Sequence, residues 1–113
     1  SYEEVLPYFK KMQHQERGPS EHHGVGGPVN VTDPQDPNQL SHTFVQSAEE
    51  IGLTMNADFN DGVQEGFGLY QTTQRKGERS STAVAYLHPA LERDNFTAIP
   101  YAHVTRLLFD GTH

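Results

Sequence analysis

The side chains best suited to chemistry gather near position 20. Glu21, His22 and His23, with His14 nearby, offer the imidazole and carboxylate groups that suit zinc. Their spacing argues against a site. Neighbouring residues in an extended chain point to opposite sides, and no His-x-x-x-His pair occurs to put two rings on one helical face. The pattern predicts a solvated, histidine-rich loop. Asp58-Phe59-Asn60-Asp61-Gly62 begins like a calcium loop, but its glycine stands at the fifth position, not the sixth, and no glutamate closes it at the twelfth. An Asx-rich turn is the expectation. Gly24-x-Gly26-Gly27 invites a dinucleotide reading. That fingerprint needs a further glycine where Val29 stands, and a helix where Pro28 follows. A structural loop is expected instead. No Gly-x-Ser-x-Gly elbow occurs, and spacing pairs none of the seven histidines with a serine into a triad. Asn30-Val31-Thr32 and Asn95-Phe96-Thr97 are glycosylation sequons, triplets short enough to arise by chance.

Composition narrows the classes further. The chain has 113 residues, one domain at most. Its net charge is −7, from 8 basic and 15 acidic residues. The basic residues are scattered, with Lys10-Lys11 and Arg75-Lys76 the adjacent pairs, which argues against a nucleic-acid partner. The absence of cysteine excludes disulfides, thiolate catalysis and Cys-based zinc sites in these residues. It also fits a cytoplasmic origin. No apolar run approaches the roughly 20 residues that a membrane span needs, and no signal peptide is visible. At 34% hydrophobic and a mean hydropathy of −0.72, the chain is polar for a compact domain.

The elements that must position these groups form an α+β pattern of antiparallel strands with short helices. Ser1 and Glu4 make a capping box, and Val5, Phe9 and Met12 lie on one helical face. Pro7 predicts two short helical turns, with Tyr8–Gln13 the better one. His14 to Asn38 is loop-rich, with a short strand over Val29–Thr32. Asn38 to Gly52 is the clearest helix: Asn38 as N-cap, an apolar stripe of Leu40, Phe44, Val45, Ala48 and Ile51, and Gly52 as left-handed cap. Thr54–Glu65 reads as loop. Phe67–Gln74 alternates as a strand. Arg75-Lys76-Gly77-Glu78 turns the chain. Ser80 or Ser81 caps a short helix that carries Ala83, Val84, Tyr86 and Leu87, and Pro89 helps end it. Phe96–Ile99 and His103–Phe109 read as strands split at Pro100. Phe67, Tyr70 and Tyr86 could line a pocket, although aromatics at such spacings are more often core.

Several stretches carry a family likeness. Ser1 to Phe9 reads SYEEVLPYF. His23-Gly24 is followed by Gly26-Gly27-Pro28-Val29. Asp58-Phe59-Asn60 precedes Glu65-Gly66-Phe67-Gly68-Leu69-Tyr70-Gln71. Arg79-Ser80-Ser81-Thr82-Ala83, Ala85-Tyr86-Leu87 and Asn95-Phe96-Thr97 come next, then Ile99 to Phe109. In this order and at these separations, the chain resembles the glucose-methanol-choline (GMC) family of flavin oxidoreductases, nearest the choline-dehydrogenase-like members. The resemblance implies a piece of an enzyme that oxidises a small alcohol by passing hydride to FAD. Residues 1–113 would form a single interior fragment, mostly scaffold of the substrate-binding half, with strands over 95–109 beside the FAD adenine. The family's flavin-phosphate loop comes before this stretch and its catalytic base after it. No catalytic residue is therefore carried over, none of the seven histidines matches, and the fragment alone should be inactive, with weak or no FAD binding. One cofactor contact is carried over: the main chain at Val104, beside adenine. Pro100-Tyr101 stands where the family has Thr-Gly, removing an amide donor at the strand entrance. Phe67 and Tyr70 are weaker candidates for substrate contact, and no metal is implied. Packing surfaces left bare predict self-association, through the His103–Phe109 edge. The alternative is a free-standing binding module without catalysis, its groove on Phe67–Gln74.

Overall fold

A computed structural model describes residues 1–111. Helix α1 spans Tyr2–Met12. Glu3 and Glu4 in its first turn and Lys10 and Lys11 in its last match the helix dipole. The main-chain nitrogen of Ser1 donates to the Glu4 carboxylate, one arm of the expected capping box. The predicted break at Pro7 does not occur: α1 runs through it. Pro7 sits just past the first turn, where the missing N–H forfeits a bond to Glu3 at an end already short of internal bonds.

Strand β1, Gln13–Gln15, follows α1 directly and pairs in parallel with β2, Val29–Val31, matching Gln13 to Val29 and Gln15 to Val31. The sequence predicted β2 but not β1, and it predicted antiparallel pairing. The loop over residues 16–28 makes the crossover that a parallel pair needs. It folds back tightly: Gln15 N–H donates to Gly24 O at 2.9 Å, and Gly27 N–H to Gln13 O at 3.0 Å. A Cβ at Gly24 would collide with the Lys10 carbonyl, and one at Gly27 with the main chain at Met12 and Gln13. The glycine run is thus a structural loop, as expected.

Helix α2, Gln39–Glu50, was legible from its ends. Asn38 Oδ1 accepts from Leu40 N–H at 2.9 Å. Gly52, at φ +84°, donates to Glu49 O at 2.9 Å, and Leu53 donates to Ala48 O at 3.0 Å. Both bonds of a Schellman cap are present. Strands β3, Gln74–Arg75, and β4, Glu78–Arg79, form an antiparallel hairpin. Lys76 and Gly77 at its tip both have positive φ, the signature of a type I′ turn.

Ser81 Oγ accepts from Val84 N–H at 3.3 Å at the start of the last helical stretch. Residues Ala83–Leu87 form a π turn, closed by His88 N–H on Ala83 O, and run on into helix α3, His88–Leu91. Pro89 therefore lies inside the helical stretch and does not end it. It cannot donate to the carbonyl four residues back, and the widened turn before it makes room for its ring.

Two other expectations fail. Phe67–Gln74 is not a continuous strand: Phe67 bridges Met55 in parallel, Thr72 bridges Thr32 antiparallel, and no sheet lies between. Phe96–Ile99 and His103–Phe109 form no strand, because no strand among the described residues lies beside them. An alternating pattern fits a sheet but cannot supply the partner. Tyr101 adopts φ +58° at the bend after Pro100, a left-handed conformation unusual for a bulky side chain.

The fold is α+β with a polar centre. Among the described residues, Ala48 is the buried apolar side chain, whereas Gln15, His23, Thr32 and Ser80 are the buried polar ones. The radius of gyration is 19.0 Å, against about 13 Å for a compact domain of this length. No helix among the described residues is long and apolar enough to cross a membrane. Gly52→Ala should cost about 1 kcal/mol through its left-handed backbone. Gly27→Ala should cost more, because main chain must move. Circular dichroism on heating should place Gly27→Ala lowest, Gly52→Ala next and the unaltered chain highest.

Candidate functional site

The crossover between β1 and β2 brings distant polar side chains together. Gln15, at the end of β1, is 2% exposed. Its amide pairs reciprocally with Gln71, at 2.8 and 3.1 Å. Gln71 Nε2 also donates to Asp33 Oδ1 at 2.9 Å. Asp33, just past β2, meets Arg17 in a two-pronged pair: Nε to Oδ2 at 3.0 Å and a terminal nitrogen to Oδ1 at 2.6 Å. The other terminal nitrogen of Arg17 donates to Ala57 O at 2.8 Å and lies 3.7 Å from Asp58 Oδ2. One guanidinium thus spans the segments around residues 17, 33 and 57. Its hydrogen bond holds the Asp33 carboxyl below its ordinary 3.8, against the opposing effect of partial burial, with Gln71 adding to the depression. Asp33 in turn raises Arg17.

The two adjacent histidines reach the same loop. His22 Nδ1 pairs with Asp61 Oδ1. His23 Nε2 lies 3.1 Å from Asp58 Oδ2. That approach is out of line, so the nitrogen makes no hydrogen bond. His23 Nδ1 lies 3.0 to 3.1 Å from the Gln13 amide, and Gln13 Oε1 also accepts from Gly24 N–H at 3.2 Å. The expected solvated loop is corrected at His23, which is buried. Ser20 Oγ accepts from the amides of both His22 and His23, and this turn drives one ring inward. The Asp58 loop is Asx-rich as expected: Asn56 Oδ1 accepts from Asp58 N–H at 2.8 Å, and Asp58 Oδ1 from Asn60 N–H at 2.9 Å. Asp61 is held below its ordinary 3.8, chiefly by the His22 hydrogen bond and then by the Gly62 main chain.

A cavity of about 740 Å³ is lined by Leu6, Phe9 and Met12 of α1, Val31 of β2, and His22 and Asp61. The sequence-predicted residues lie elsewhere. Phe67 sits 6.3 Å from Phe44, ring to ring. Tyr70 stacks on Phe59 at 4.5 Å. Val104 is 74% exposed. None of the three lines that cavity. Tyr86 lines a smaller cavity beside the π turn, with Phe96. Sequence reasoning missed the Arg17, Asp33 and Gln71 network, because no spacing rule links positions so far apart. Among the described residues, no histidine ring bonds a hydroxyl, so no Ser–His nucleophile pair is assembled. No group of three or more His, Asp or Glu among them could hold a metal ion. The cluster ties loops together.

The pH dependence has a definite sign. A depressed carboxylate stabilises the fold above its unfolded pKa and loses that contribution as pH falls through its folded one. The Asp33 contribution should therefore be complete above about pH 4 and fade below it. Because the pair is part-exposed, the effect is modest, about 1 kcal/mol or less. Thermal melts from pH 2 to 6 should show a shallower acid loss for Asp33→Asn than for the unaltered chain.

Comparison with known proteins gives a consistent result. A family model described as GMC oxidoreductase matches residues 1–113. The chain is 42% identical over 110 residues to an alcohol dehydrogenase (acceptor) of Pseudomonas putida, covering 96% of this chain and 20% of that one. It is 42% identical over 113 residues to an oxygen-dependent choline dehydrogenase of Ectopseudomonas mendocina (strain ymp), covering 98% and 20%. It is 41% identical over 111 residues to the mitochondrial choline dehydrogenase of Mus musculus, covering 98% and 19%. The crystal structure of pyridoxine 4-oxidase from Mesorbium loti superposes with a TM-score of 0.73 at 28% identity, over 81% of this chain and 18% of that one. The chain spans about a fifth of the length of the curated relatives it matches.

Proposed function

Because the chain belongs to the GMC oxidoreductase family, we propose that it serves as one segment of a longer, FAD-dependent alcohol oxidoreductase of the choline-dehydrogenase type. The observation that carries this reading is the 42% identity to a choline dehydrogenase along 98% of the chain, within a fifth of that relative's length. Bound FAD would supply the acceptor for hydride from the alcohol carbon. The substrate is a small alcohol, and the setting is cytoplasmic.

The chain's own residues fit only part of such a cofactor. Gly24 and Gly27 are pressed against the end of α1, so their loop is no cradle for a pyrophosphate. The segment around Val104 is exposed and forms neither helix nor strand. Its main chain is free to meet an adenine edge, and we assign Val104 that contact. Tyr101 sits at φ +58° where the resembled sequences carry glycine, which supports a bend that aims residues 102–109. We assign the middle of the chain to scaffold of the substrate-binding half, with Phe67 and Tyr70 on the substrate side.

The isolated 113 residues lack the phosphate cradle and the proton acceptor, so they should not bind FAD at micromolar concentration or oxidise choline. Flavin titration with an alcohol turnover assay checks this; micromolar binding with turnover would sink the reading. Bare apolar surface should also make the isolated chain self-associate. Light scattering should show mass rising with concentration, and a clean monomer at high concentration is the contrary result.

A further inference from the structure

Helix α2 carries an apolar stripe whose centre is largely uncovered. Leu40, Phe44 and Ile51 fall within about 40° of one another at 3.6 residues per turn, and they are 76, 66 and 77% exposed. Glu49, Gln46 and His42 occupy the opposite side. The helix is capped at both ends. Ala48, at the flank of the stripe, is buried, and Phe44 approaches Phe67. The covered part is thus the edge of the stripe, and its centre faces outward.

We propose that the Leu40, Phe44 and Ile51 face is a docking surface whose occupant is another part of the same longer GMC polypeptide. The proposal rests on the function proposed above and names the partner of this segment. Area separates that occupant from a second copy. The accessible surface is 9560 Å² for 12.7 kDa, whereas a folded monomer of that mass exposes about 6,200 Å². The surplus is roughly 3,300 Å² by that scaling, and a dimer interface of usual size covers only about 800 Å² on each partner. One copy would leave most of the surplus bare. The relatives are about five times as long as this chain, so their remaining polypeptide is large enough to supply the cover. The stripe carries no charge, so the occupant must be apolar.

The test uses a whole flavoprotein. This chain replaces the matched residues of the oxygen-dependent choline dehydrogenase of Ectopseudomonas mendocina, carrying either Phe44→Cys or Glu49→Cys. The chain has no cysteine of its own, so peptide mass identifies the new thiol. Iodoacetamide labelling of the flavin-loaded protein should be at least 100-fold slower at Phe44→Cys than at Glu49→Cys. In the dilute isolated chain, the two should react alike. Equal rates in the flavin-loaded graft overturn the docking surface alone, and so does protection of Phe44→Cys in the dilute isolated chain. A graft that folds without flavin counts instead against the proposed function. If the exchange is not tolerated, cysteines at the aligned positions of the unaltered dehydrogenase decide the matter by the same rates.

Discussion

The guanidinium of Arg17 is the contact on which the arrangement turns. It grips Asp33 with two nitrogens and the Ala57 carbonyl with a third. The strand pair β1 and β2 is only three residues long, too short to fix its surroundings. Arg17 extends that pair into a frame by fastening the residues after each strand to a loop 40 positions away. The Gln15 and Gln71 amides, bonded to each other, close the same frame from within. Arginine suits this position because its fork meets a carboxylate and a carbonyl at once. A lysine would offer a single charged point.

This centre inverts the usual distribution of side chains. Polar groups are buried, while large apolar ones face outward along α1, α2 and residues 99–109. Buried polar groups are tolerated where they are bonded, as the Gln15 amide is. His23 Nε2, Thr32 Oγ1 and Thr72 Oγ1 are buried without a hydrogen-bond partner. Direction comes from the polar bonds, and Ala48 is the buried apolar side chain among the described residues. The same inversion explains the open dimensions, 59 × 33 × 30 Å.

What could be read from the sequence was local. Helix α2 is specified by Asn38, its stripe and Gly52, all within one stretch. The turn at Lys76-Gly77 needs only its own two residues. Pro7 misled because its position in the helix mattered more than its identity, and Pro89 because a π turn absorbs it. Strand β1 reads Gln-His-Gln, with no alternation to reveal it, and its partner lies beyond a long crossover. The reverse error occurred at Phe67–Gln74 and in residues 96–109, where the pattern is present and the neighbour is not. The site was less visible still. His22 and Asp61 are 39 positions apart, and Gln15 and Gln71 are 56. The family, by contrast, was legible, because short motifs such as the glycine loop are fixed by steric contact with α1.

The polar frame has a thermal consequence. Apolar contact weakens on cooling, whereas a hydrogen bond between amides does not rest on that apolar term. Seated as proposed by its greasy exterior, a segment knit inwardly by amides and a guanidinium has two attachments with different responses to cold. Chilling would loosen its seat in a larger assembly before it disturbed the segment's own knot.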